Sequence, residues 1–105
     1  MDAELRQAIA ERRLIAFRYD GCARVAEPHD YGIANGERKL FYFQVGGTSR
    51  SGGHLPDWRW AVASKIEDLR LLDERFPGPR PAPSGRHQRW ERLIASVSRE
   101  VAGEE

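Results

Sequence analysis

A chain of 105 residues with a formal net charge of +1 is long enough for one modest domain and too short for a second full one. That charge balance supplies no overall positive field for nucleic acid or an anionic membrane, so any such binding must come from local clustering. Cys22 stands alone and excludes an internal disulfide. No run of about 18 apolar residues exists to cross a bilayer, and the polar start Met1-Asp2-Ala3-Glu4 lacks a signal-peptide pattern, so a cytoplasmic protein without membrane contact is expected.

Residues 2–13 carry Leu5, Ala8 and Ile9 at helical spacing between charged side chains, which predicts an amphipathic first helix with Asp2 available as its cap. From Leu14 to Tyr19 the period changes to two, with Ile15, Phe17 and Tyr19 on one face of a strand. Asp20-Gly21 is a hairpin signal, and Asn35-Gly36 is a second one. A short second strand is expected over residues 24–27. Pro28 demotes the stretch through Tyr31 and Ile33 to an edge or irregular extension.

Residues 39–45 are the clearest strand. Phe41, Phe43 and Val45 make a wholly apolar face, and that face is expected to point inward, leaving Leu40, Tyr42 and Gln44 outside. A glycine-rich loop over residues 46–57 leads to a fourth strand, 58–62, with Trp58, Trp60 and Val62 on one side. A turn near 64–66 precedes a last strand, 67–72, and Phe76 ends the domain.

The expected fold is mainly β with flanking helices: a small five-stranded barrel, residues 1–76, with its first helix across one opening. Residues 77–87 form a Pro-rich linker. Residues 88–105 recover helical spacing, and Trp90, Leu93, Ile94, Val97 and Val101 make the apolar stripe of a carboxy-terminal helix. A helix so short is marginal alone, so the stripe must dock on its own barrel, a second copy or a protein partner.

The order Arg24-Val-Ala-Glu-Pro28, Leu40-Phe-Tyr-Phe43, Trp58-Arg-Trp60 and Lys65-Ile-Glu-Asp-Leu69 resembles a WYL domain. In that family a Trp-Tyr-Leu tripeptide lies on a central strand of an Sm-like or SH3-like barrel, and Phe41-Tyr42-Phe43 would take its place. The resemblance covers about the first 76 residues. It implies a regulatory module that binds nucleotides or single-stranded nucleic acid without catalysing a reaction. The segment Trp60-Ala-Val-Ala-Ser-Lys-Ile66 departs from the family's Phe-Arg-Leu-Asp-Arg-Ile by one extra residue.

Strand parity adds a reading of its own. Arg18, Arg24, Tyr42, Gln44, Arg59 and Arg70 fall on the expected non-core face, giving a basic surface around one tyrosine. Guanidinium groups match phosphate oxygens bidentately, and a tyrosine ring can stack on a base. The family resemblance points to Arg24, Pro28, Tyr42, Arg59 and Lys65. Together these readings nominate Arg18, Arg24, Tyr42, Arg59 and Lys65 as a ligand site for a nucleotide or short single-stranded nucleic acid. A protein-interaction or self-assembly module, using strand edges and the carboxy-terminal stripe, is the alternative of a different class.

Catalysis and metal binding find little support. His29-Asp30, His54 with Asp57, and His87 are scattered and give no metal-ligand spacing. Adjacent residues of an extended chain, such as His29 and Asp30, point apart. The glycine-rich loop lacks a Gly-Lys-Ser/Thr ending, and no nucleophile, base and oxyanion donor are placed together. No cofactor is expected.

Overall fold

The computed structural model describes residues 1–48, 55–80 and 90–97. Helix α1 (Asp2–Glu11) is followed by β1 (Arg13–Tyr19), β2 (Cys22–Ala34), β3 (Glu37–Gly47), β4 (Asp57–Val62), a 3-10 turn (Ala63–Lys65), β5 (Glu67–Arg75) and β6 (Arg92–Ser96). All ladders are antiparallel, the order is β4-β3-β2-β1-β5, and β6 pairs with β2. The expected closed barrel does not form: β4 and β5 share no ladder, and the sheet stays open between them. β4 is tied instead to β1, where the Val62 amide donates to the Tyr19 hydroxyl at 3.0 Å.

Leu5, Ala8 and Ile9 seat α1 on the sheet. Arg12, left-handed at φ 56°, ends the helix by donating its amide to the Ala8 and Ile9 carbonyls, so that its last residue, Glu11, falls two short of the predicted end. Asp2 is not the cap. Its carboxylate instead accepts from the Tyr31 hydroxyl and the Arg38 guanidinium, both at 2.7 Å, tying the helix start to β2 and β3.

Both hairpin turns are of the primed type: Asp20 and Gly21 have φ of 54° and 75°, Asn35 and Gly36 of 53° and 76°. β2 continues through Pro28 as one strand. It changes register between Pro28 and Asp30, so that His29 is the extra residue of a bulge, a position that tolerates proline's missing donor. The bulge also divides one edge of β2. Residues up to Ala26 pair with β1, and Asp30 to Ile33 pair with β6.

That division explains why the carboxy-terminal stripe is not a helix over residues 92–96. β1 leaves β2 at Ala26 to join α1, so the next stretch of β2 has an open ladder. Leu93-Ile94-Ala95 fills it as a strand, where paired backbone groups and burial outweigh a helix that is marginal alone. Trp90 meets Trp60, with ring centroids 5.6 Å apart, and Val97 joins the core. The docking question for Trp90, Leu93, Ile94 and Val97 is therefore answered within the chain. Residues 88–89 and 98–105 of the expected helix, Val101 among them, lie outside the described residues.

As far as Gln44 the inward face of β3 is the reverse of the expected one, while Val45, at the register shift against β2, packs against the core as expected. Leu40, Tyr42 and Gln44 are fully buried, and Leu40 and Tyr42 join the main core with Ile15, Phe17, Ala26 and Ala61. Phe41 and Phe43 lie on the other face, under Trp58 and Trp60 of β4: Phe41 stacks on Trp58 at 4.7 Å and meets Trp60 at a tilt, with centroids 4.3 Å apart. An apolar layer covers each side of this central strand, so parity alone could not tell core from cover.

Candidate anion-binding site

Register first decides which basic side chains meet. Arg24 pairs with Phe17 across the first hairpin, and Tyr42 lies opposite Pro28 on one side and Arg59 on the other. Arg24, Tyr42 and Arg59 are thus neighbours, as parity predicted, but on the inner face. Arg24 Nη1 donates to the Tyr42 hydroxyl at 3.1 Å, and Nη2 donates to the Tyr19 carbonyl at 3.3 Å. The guanidinium also lies over the Tyr19 ring, 5.2 Å from its centroid. Burial pushes the Tyr42 hydroxyl above its ordinary pKa, while the Arg24 and Arg59 charges oppose that shift.

Arg24 is 5% exposed, has no carboxylate within ion-pair distance among the described residues, and its Nε finds no hydrogen-bond partner there. A buried cation is costly unless paired. Glu27, the other well-buried charge among the described residues, does have its counter-ion.

Beside Arg24 opens a cleft of about 590 Å³ between the first hairpin and the start of β5. Arg18, Arg24 and Arg70 all contribute to its lining, Arg24 with its guanidinium turned away toward Tyr42 and Tyr19. Ala16 pairs with both Val25 and Arg70, and Arg18 pairs with Ala23, so the small side chains of Ala16 and Ala23 share this face with Arg18 and Arg70. On the far wall β5 bulges, because Asp68 and Leu69 together oppose Phe17. Asp68 takes the left-handed conformation, φ 54°, that aspartate tolerates better than most residues. Gly47 closes the near rim at φ 84°, where any side chain would overlap the Ala23 carbonyl.

Of the five nominated residues, Arg18 and Arg24 line the cleft. Arg18 is exposed and bonds the Gly21 carbonyl at 3.3 Å, on the opposite face of β1 from the one that meets Arg24. Tyr42 and Arg59 stand behind Arg24 and do not line it. Tyr42 is 0% exposed and meets Phe17 edge-on at 5.3 Å, so its ring offers no stacking surface to a base. Lys65 is exposed at the end of the 3-10 turn, apart from the cleft, and Pro28 is a core residue.

Sequence parity gave no hint of Asp68, whose place depends on a bulge that no turn dipeptide announces. His29 and Asp30 diverge as expected: the Asp30 carboxylate accepts from the Ser96 hydroxyl at 2.6 Å, while His29 packs against Phe76 and Trp58. His54, His87 and most of the glycine-rich loop lie outside the described residues. Among the described residues no group of His, Cys, Asp and Glu is arranged to hold a metal, and no helix is long and apolar enough to cross a membrane. No family model, curated protein or solved structure matches the chain.

Proposed function

We propose that this domain is a non-catalytic, regulatory or accessory module that binds a nucleotide through its phosphates in the cleft flanked by Arg18 and Arg70. The observation that carries the reading is the pair Arg18 and Arg70, two exposed arginines on the same face of β1 and β5, both lining the cleft and neither ion-paired among the described residues. A phosphate can accept from both guanidinium groups, and the Ala16 and Ala23 side chains on the same face leave room for a compact anion. The cleft's volume falls within the range of small-molecule sites. A free nucleotide is preferred to a stacked single strand because the ring nominated for stacking, Tyr42, is wholly buried. The resemblance of the Arg24 to Leu69 segments to a WYL domain supports a regulatory module of that kind.

The test is calorimetric titration with nucleoside mono- and triphosphates, and anisotropy with labelled single-stranded DNA and RNA, at two salt concentrations. Arg18→Ala and Arg70→Ala, both at exposed positions, are expected to weaken nucleotide binding at least tenfold together while leaving the fold intact. Higher salt is expected to weaken it further. Absence of binding at low salt, or affinity unchanged in both variants, would overturn the reading. Tighter binding of oligonucleotides than of nucleotides would move the ligand to single-stranded nucleic acid.

A further inference from the structure

A second charged site lies on the opposite face from the core, away from the cleft. Glu27 of β2 sits directly across from Phe43 of β3, and its side chain is only 4% exposed. Both carboxylate oxygens accept from Arg80, Oε1 from Nε at 2.5 Å and Oε2 from Nη2 at 2.8 Å. The same guanidinium lies 4.8 Å from the centroid of the Phe43 ring. A two-pronged acceptor at the base and an aromatic face at the side recognise the shape as well as the charge of a guanidinium.

Socket and occupant differ in how firmly they are built. Glu27 and Phe43 belong to paired central strands, with His29 next along the face and Trp58 covering both Phe43 and His29. Arg80 is 39% exposed and belongs to Pro77-Gly-Pro-Arg80, beyond the last residue of β5. That segment is also held at its start, where Arg12 donates to the Pro77 carbonyl at 2.9 Å. A buried carboxylate left without a cation is costly, so release of Arg80 favours its replacement by another cation rather than an empty socket.

We propose that Glu27 and Phe43 form an arginine-binding socket, filled within the chain by Arg80, and that an arginine side chain of a partner peptide docks there by displacing it. Arg80 then acts as a built-in competitor, since a tethered group is present at an effective concentration on the order of millimolar. A peptide arginine must exceed that competition, and flanking contacts with Trp58 and Trp60 would supply the difference.

The test vacates the socket and refills it. N-acetyl-arginine amide, at millimolar concentration, is titrated into Arg80→Ala, with thermal stability and the His29 imidazole NMR shift as readouts. Saturable stabilisation is expected, at least tenfold weaker in the wild type, and lost in Arg80→Ala with Glu27→Gln. N-acetyl-lysine amide should act at least several-fold more weakly, because an ammonium cannot make the paired bonds. Should Arg80→Ala not fold without ligand, recovery of folding by the arginine amide is the same readout, and Arg80→Lys serves as the folded variant in which the amide must still bind more tightly than in the wild type. No saturable response in either variant, or an equal response with Glu27→Gln, would overturn the proposal.

Discussion

Arg24 and Tyr42 hold one another in place: the guanidinium donates to the tyrosine hydroxyl at 3.1 Å, and the ring beneath meets Phe17 edge-on. The hydroxyl fixes one end of the only buried arginine among the described residues, and the ring fills the core. Tyr42→Phe separates these roles. It keeps the ring and removes the acceptor, leaving a cation whose Nε already lacks a partner with one bond fewer. A loss of about 1–3 kcal/mol is expected in urea unfolding, as for bonds to charged groups. Tyr42→Ala also empties the core beside Phe17 and is expected to cost about 3–5 kcal/mol, by analogy with other buried aromatic truncations.

His29 makes stability sensitive to mild acid. Burial lowers its pKa below the ordinary 6.5, partly opposed by its bond with the Glu27 carbonyl and by the nearby Glu27 and Asp30 charges. The unfolded chain therefore takes up the proton first. Stability from neutral His29 is complete well above pH 6.5 and is lost as pH falls from there through the folded pKa. Urea unfolding is expected to show a lower midpoint at about pH 5.5 than at about pH 7.5, and His29→Phe should flatten that difference. Because the Arg80 charge also depresses this pKa, an imidazole titration of Arg80→Gln should shift upward relative to the wild type.

Asn35 occupies a left-handed position, φ 53°, in the β2–β3 turn. Asn35→Ala is expected to cost about 1 kcal/mol through backbone strain alone, since alanine tolerates that conformation less well. Asn35→Gly should be near neutral. Equal midpoints for the two variants in thermal unfolding would show that the turn is not held in the primed conformation.

Local rules were legible wherever they act locally. Asp20-Gly21 and Asn35-Gly36 announced their hairpins, and the alternation of Phe17 to Tyr19 and Trp58 to Val62 announced strands, because the signal sits in adjacent residues. Tertiary choices were less legible. Phe41 and Phe43 look like a core face to any reading by parity, and only the position of Trp58 and Trp60 shows that they line a second layer. Leu93-Ile94-Ala95 fits a helix stripe or a strand, and the free ladder left where β1 departs from β2 decides between them. The grouping of Arg24 with Tyr42 and Arg59 followed from period two, but which side was buried did not. Arg18 was placed with Arg24, and the hairpin register puts them on opposite faces of the sheet.

Gly32 explains how the last strand comes so close. It pairs with Leu93, and a methyl group at position 32 would overlap the Arg92 carbonyl oxygen and approach the Trp90 ring to 2.8 Å and Leu93 Cα to 3.1 Å. The ring is the end of a side chain and can turn away, but the carbonyl belongs to the backbone of β6 and cannot move without breaking the ladder. Gly32→Ala is therefore expected to detach β6 rather than to unfold the sheet, with a loss of about 1–3 kcal/mol typical of overpacking. Two amides report the event directly: Glu91 donates to the Ile33 carbonyl at 2.7 Å and Val97 to the His29 carbonyl at 2.9 Å. Their hydrogen-exchange protection should collapse in Gly32→Ala while amides of the β1–β2 and β2–β3 ladders stay protected. Arg92→Ala, which removes only an exposed side chain, should leave all of them unchanged. Persistent protection of Glu91 and Val97 in Gly32→Ala would mean that β2 can yield at position 32, and that the close approach is tolerated rather than required.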